Sequence, residues 1–450
     1  MRKKLRYLLL ILFKAPGVFA QQMDSTHVNP WNYHFQITVI DQNHSGFNAK
    51  YSGMNSLADS VETGANSVTA TLYLGRRLWK GAAVHFNAEL SGGHGLSSTL
   101  GVAGALNGET YRIGDPSPVI SAARYFFQQM IPLGHTGYEH QEDDIDNQLE
   151  GTIPSSRLVF SAGKFSLSDF FDDNPYSHDP RTQFMNWALM SNGAWDYPAN
   201  TKGYTYGLVV ELIRPGWAAR ISSVAVPATA NHSDMEYRFG KAHSETLEIT
   251  KKLPLINGQP GTLGFIASYT ASRAPSYQDG LTALKTGDVA LLNVFSGNAE
   301  GLSYGGHKTG FYFNLAQGLT DDLGLFARAG WNDGKYATWA FTEIDQTISA
   351  GLSLKGTSWK RKDDVVGLGE IVNGISKDHQ AFLRAGGYGF IIGDGNLDYG
   401  HEIITEFYYS AQMNKTFSLS VDYQLVMNPG YNKDRQGPVH VFGFRGHIAF

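Results

Sequence analysis

Cysteine is absent from this 450-residue chain. That excludes a disulfide framework, a thiolate zinc or iron–sulfur site and a thiol nucleophile. It also fits a protein exported to an oxidising compartment. Charge is scarce: Asp, Glu, Lys and Arg make up 17% of the residues, against roughly 25% in ordinary soluble domains. Long hydrophobic runs are missing, and nothing beyond the N-terminus reaches the roughly 20 apolar residues of a helical span. Glycine (51 residues) and aromatics (13%) are plentiful instead. Disorder needs high charge and few aromatics, so it is excluded. The length suits two or three soluble domains or one large β architecture, and the composition favours the second.

The first twenty residues have the layout of a secretory signal peptide. Arg2, Lys3, Lys4 and Arg6 form a basic region, Tyr7–Phe13 is a short apolar core broken by Lys14, and Val18-Phe19-Ala20 offers a small-x-small cleavage site. Seven apolar residues are too few to span a bilayer. The chain has 36 Lys and Arg; less the five in this segment, 31 face 41 acidic residues. That acidic balance opposes nucleic-acid binding. Without a helical span, a membrane-embedded form of residues 21–450 has to be one closed β-barrel domain.

Alternation supports that form. From Phe417 to Met427 every odd position is apolar, opposite Ser418, Ser420, Asp422 and Gln424. Phe442, Phe444, Ile448 and Phe450 share one face of the last segment, and Arg445 and His447 the other. A period of two over such lengths means long strands with one apolar face. Sandwich strands run about 5–6 residues, whereas membrane strands need about 9–11. Short turns at Arg76–Gly81, Arg214-Pro215-Gly216, Leu319–Asp322 and Asn414-Lys415-Thr416 alternate with long polar loops at 42–65, 93–116, 166–201 and 274–307. Short turns on one side and long loops on the other are an outer-membrane pattern. Sixteen strands are expected. Segment 379–392 is not a seventeenth, because parity opposes it. Ser376 can cap a short helix over Lys377–Arg384, which Gly386-Gly387 can end.

A family likeness lies in Ala162–Asp172, Tyr176–Leu189 and Gly193–Tyr204, a long block that includes Ser177-His178-Asp179-Pro180-Arg181 and Gly193-Ala194-Trp195-Asp196-Tyr197-Pro198. Trp31–Gln36, Tyr51-Ser52-Gly53, Ser376–His379 and Ile392–Gly395 extend it across nearly the whole chain. Together they resemble the carbohydrate-selective porin family of Gram-negative outer membranes. The resemblance implies an all-β fold: a closed antiparallel transmembrane barrel of about 16 strands with a long inward-folding loop, passing sugars by facilitated diffusion.

Sugars are neutral, rich in hydroxyls and have apolar C–H faces, so their path needs charged and amide groups beside aromatic rings. The 166–201 loop supplies Asp169, Asp172, Asp173, Asp179, Arg181, Asn186 and Asp196, with Tyr176, Trp187, Trp195 and Tyr197 for stacking. Asp179-Pro180 reads as the start of a helix running to about Met190. The loop either folds in and narrows the barrel or seals its outer mouth. Alternation points His34, Glu89, Arg124, Arg157, Glu211, Arg220, Glu248, Arg328, Glu402, Glu406, Asp422 and Arg445 into the lumen. A lumen of mixed sign suits neutral solutes better than ions. Arg124 and Arg181 stand out, because guanidinium geometry matches paired hydroxyls.

No catalytic residues are expected. His401-Glu402 lacks the second histidine of a zinc hydrolase site. No cofactor is expected either, although a loop Ca²⁺ could sit at Asp143-Asp144 or Asp172-Asp173. The expected partners are sugars, outer-membrane lipid, and the barrel-assembly machinery through the strand ending in Phe450. The alternatives are a porin with little sugar selectivity and a secreted β-sandwich that binds sugars.

Overall fold

The computed structural model describes residues 29–110, 117–134, 137–141, 147–256 and 258–450. The signal-like segment 1–20 and Asp143-Asp144 lie outside them. Each expected strand is present. The sixteen are β1 (Trp31–His44), β2 (Glu62–Trp79), β3 (Ala82–Gly93), β4 (Val119–Pro132), β5 (Arg157–Phe165), β6 (Thr205–Arg214), β7 (Trp217–Val224), β8 (His243–Lys252), β9 (Gly261–Ser272), β10 (Gly306–Gly318), β11 (Leu323–Asn332), β12 (Gln346–Gly356), β13 (Arg361–Gly374), β14 (Glu402–Gln412), β15 (Phe417–Met427) and β16 (Val439–Ala449). Each pairs with its sequence neighbour, and β16 closes the barrel on β1 from Gln36↔Ala449 to His44↔Val441. Phe450 completes the seam: its backbone exchanges hydrogen bonds of 2.8 and 2.9 Å with Phe35, and the two rings lie 5.4 Å apart.

The strands form because of their alternation, and the barrel turns it inside out relative to a soluble protein. Ser418, Ser420, Asp422 and Gln424 are buried, whereas Val421, Phe442 and Phe444 are half exposed on the outside. A polar interior within an apolar outer band is the arrangement of a membrane barrel. Trp31, Trp79 and Trp217, at the ends of β1, β2 and β7, add exposed aromatics along one rim. That rim carries the short turns and is the periplasmic one by the outer-membrane rule.

Two expectations are corrected here. The rim of short turns has a long exception: the β4–β5 connection, 133–156, builds its own hairpin from Tyr138–Gln141 and Gly151–Pro154. The helix expected from Pro180 to Met190 is also cut down. Asp179 opens one turn, accepting from Gln183 N at 2.8 Å, and the helix α1 covers only Trp187–Met190, capped by Asn186. The cause is the barrel wall. Arg445 on β16 takes the carbonyls of Pro180 and Gln183, which a continuous helix would use internally. Glu406 on β14 takes the N–H groups of Met185 (2.6 Å) and Asn186 (2.9 Å).

Among the described residues, loops on the other rim carry three more α-helices: α2 (Tyr277–Thr286), α3 (Val289–Phe295) and α4 (Lys377–Arg384). The last has the expected boundaries. Ser376 Oγ accepts from His379 N at 3.1 Å, and Gly386 follows at φ +90°.

Candidate functional site

Loop 166–204 lies inside the barrel, with residues 184–200 buried throughout. Many of its polar groups are tied to the wall at β10–β16. Asp172 accepts from Arg328 of β11 (3.0 Å) and from Asn314 of β10 (2.8 Å). Asn192 donates to the Ala329 carbonyl (3.1 Å), and Asn332 of β11 donates to that of Ala194 (3.0 Å). Gly330 makes this approach possible, since a Cβ there would lie 2.0 Å from Asn192 Oδ1. Asp196 caps the turn after Thr338, accepting from the N–H groups of Trp339, Ala340 and Phe341 at 2.8–3.1 Å. Other loops are held likewise. Glu402 of β14 accepts from Ala103, Gly104 and Gly430 N–H at 2.8–2.9 Å, and Glu343 from Ile391 and Ile392.

The loops therefore fill the half of the lumen against β10–β16. Open space remains against β1–β7, as a cavity of about 380 Å³, within the range of small-molecule sites, ~300–1,000 Å³. Five basic side chains (Arg124, Arg157, Arg181, Lys202, Arg220) and five acidic ones (Glu109, Asp169, Asp173, Asp179, Glu211) line it. Most are paired. Arg124 meets Asp169 through two parallel 2.7 Å bonds. Asp169 is fixed in turn by a capping box with Ser166. A bulge aims Arg124: Asn87 pairs with Arg124 and Ala88 with Ala122, so Ala123 is the extra residue. Arg181 lies 3.0 Å from Glu109 and 3.9 Å from Glu89. Arg220 binds Glu211 and Glu248, each at 2.8 Å. Arg157 binds Glu139 of the β4–β5 connection at 2.6 Å. Tyr204 lies under the Arg124 guanidinium at 5.1 Å and donates to Glu89 at 2.7 Å. Phe170 and Tyr197 add rings to the lining. Burial pushes the Glu109 carboxyl above its ordinary range, against the pull of Arg181.

A family model of carbohydrate-selective porins, the OprB family, matches residues 56–450. The chain belongs to this family. Among solved structures, the high-pH structure of Pseudomonas putida OprB superposes with a TM-score of 0.65 at 17% identity, over 94% of both chains. Salmonella typhi OmpF in complex with daunomycin matches at a TM-score of 0.48 and 10% identity, over 93% of this chain and 97% of that one. A search among curated proteins finds no match. The protein is a carbohydrate-selective outer-membrane porin of the Gram-negative type.

In this porin the residues expected from sequence divide into two groups. Arg124, Arg157, Arg181, Arg220, Glu211, Asp169, Asp173, Asp179 and Tyr197 line the cavity. Glu89 and Glu248 stand behind its arginines. The others point inward but meet the loops rather than open space. Arg328, Glu402, Glu406, Asp422 and Arg445 are at most 4% exposed and hold or lie beneath the loops. Asp172, Asn186, Trp187 and Trp195 form the interior of the loop itself. Trp187 stacks on Tyr197, and Trp195 packs on Phe171 and Tyr312. His34 stacks on Tyr73 in the wall. Alternation gives the inward face of a strand but not which stretch of wall a loop will cover.

The sequence reading missed Glu109, Lys202 and Tyr204, and the amides Gln36, Asn87, Asn147 and Gln148, all of which line the cavity. Gln36 and Asn87 lie on inward faces and were legible by the same alternation. At the proposed calcium pair 172–173, Arg328 occupies Asp172. The expectation that the chain holds no G-x-S-x-G is corrected: Gly301-Leu302-Ser303-Tyr304-Gly305 spells that nucleophile-elbow pattern. It lies in the β9–β10 loop, without the strand-to-helix turn that gives the pattern meaning.

Proposed function

We propose that sugars cross the outer membrane by facilitated diffusion along the β1–β7 side of the lumen, in contact with Arg124, Arg181, Asp169 and Tyr197. The observation that carries this reading is the balance of five basic and five acidic side chains around a cavity edged by aromatic rings. A neutral, hydroxyl-rich solute can bridge paired guanidinium and carboxylate groups, whereas an ion gains nothing net from a balanced lining. Loop 166–204 is the constricting element, and the wall residues beneath it position it. Passage down a gradient needs no cofactor and makes no bond, so the chain acts as a channel and not as an enzyme. Residues 1–20 direct export, the outer apolar belt meets lipid, and the strand ending in Phe450 engages the assembly machinery. Replacing Arg181 by Ala should raise single-channel conductance and weaken block of the current by sugar about tenfold, the scale of one charged hydrogen bond. Unchanged conductance and block would remove Arg181 from the path.

A further inference from the structure

We propose that the β4–β5 connection is a second constricting element, entering the barrel from the periplasmic rim and setting the size of solute that the path admits. This deepens the sugar-passage reading and rests on it for the path. Porin turns on that rim are short, and this connection is the long exception. Its hairpin sets Tyr138 opposite Pro154 and Gln141 opposite Gly151. Arg157 of β5 ties the base, donating to Glu139 at 2.6 Å and to the Pro154 carbonyl at 2.9 Å. Residues 147–150 lie against the inner wall, and the sequence of β2 explains why. Tyr73, Gly75 and Arg77 alternate onto one inward face, so the wall presents a donor, a gap and a second donor. Tyr73 Oη donates to the Gln148 carbonyl at 3.0 Å, and Arg77 donates to that of Glu150. Leu149 fills the gap: a Cβ on Gly75 would lie 2.6 Å from Leu149 Cδ2. The Leu149 carbonyl accepts from Gln141 Nε2 at 3.1 Å. Three successive carbonyls thus have side-chain donors, and Leu149 itself is 6% exposed. A segment with its backbone satisfied and an apolar anchor is held in place.

The same segment reaches the charged cluster. Asn147 Oδ1 accepts from Asn87 Nδ2 at 2.6 Å, and Asn87 is the register partner of Arg124. Arg124 in turn holds Asp169 of loop 166–204. The two loops therefore meet the β3–β4 pair at one rung, one from each rim. Gln141, Asn147 and Gln148 of the connection line the same cavity as Asp169 and Arg181. The charged pairs govern what the path recognises, and the gap between the two loops governs how large a solute passes. The groups that the connection adds to the lining are amides, so it acts on size and not on charge.

The test uses the full-length porin in planar bilayers, with two changes of opposite sign. Leu149→Asp removes the apolar anchor and leaves the barrel wall intact. Gln148→Cys gives a chain without cysteine a single thiol for a bulky maleimide. Heat-modifiable migration on gels shows that each barrel is folded, and mass spectrometry shows that the label is attached. Leu149→Asp should raise the single-channel conductance in KCl about twofold by widening the conducting cross-section, and the labelled Gln148→Cys protein should lose about as much. The largest polyethylene glycol that still depresses the current should become larger in Leu149→Asp and smaller in the labelled protein. Wild-type conductance and the wild-type polymer limit in both folded proteins overturn the proposal. A change in conductance with no change in the polymer limit also overturns it, because the connection would then not set solute size. Polyethylene glycols are not sugars, so failure of the sugar-passage reading is seen separately, as wild-type liposomes that do not swell with D-glucose.

Discussion

Arg181 is held between Glu109 and Glu89, and Glu109 couples it to pH. Burial raises the Glu109 carboxyl above the ordinary 4.5, so it takes up a proton at a higher pH than an exposed glutamate. The sign follows directly. Above the raised value the pair is neutral overall; below it, Arg181 keeps its charge and the lining gains one positive charge. Ion selectivity in a salt gradient should therefore shift toward anions on acidification, with a midpoint above 4.5. Glu109→Gln should show the anion-shifted selectivity already at neutral pH and lose this step. Reversal potentials of the two proteins as a function of pH check this, and parallel curves would remove Glu109 as the titrating group. A second titration lies outside the barrel. The Arg238 hydrogen bond, with Tyr304, lowers the Glu236 carboxyl to about 2. A depressed carboxylate adds stability that is present above about 4.5 and is lost as pH falls through about 2. The Glu236 side-chain carbon signal should titrate near 2; a midpoint near 4.5 would show that the contact with Arg238 does not persist.

Among the elements, loop 166–204 has the largest consequences, and the wall fixes its shape. Glu406 secures the start of α1 through the Met185 and Asn186 N–H groups. Glu406→Ala leaves both buried donors without partners, at a cost of about 2–3 kcal/mol. The midpoint of thermal unfolding should fall, and the open-channel current should become noisier as the loop loosens. Gly330→Val, which forces a side chain into Asn192, should loosen the same loop from the β11 side. A quiet, unchanged current in both variants would contradict the account of how the loop is held. This element also marks how far the sequence could be read. Asp179 and Pro180 signalled a helix start correctly, and one turn forms there. Nothing local showed that Arg445, 262 residues from Gln183, would take the carbonyls the helix needed. The cap of α4 lies within its own few residues, and its boundaries were legible.

Over the whole molecule, the strands were legible because each carries its own period of two, and the even count follows from it. What was not legible is the asymmetry of the lumen. Alternation treats Arg124 and Arg328 alike, as inward arginines on a barrel wall. Loop packing makes the first line a cavity and the second a buried anchor for Asp172. The β4–β5 connection was missed for a similar reason, since its place in the lumen depends on Tyr73 and Asn87 rather than on any pattern of its own. The resulting molecule is a barrel whose loops close one half and leave a charge-balanced path along the other. Its central claim is that this path prefers neutral sugars. Liposome swelling with sugars and amino acids of matched size tests it most directly. The account predicts faster entry of the sugars at every matched size. Equal rates for solutes of equal size would contradict it.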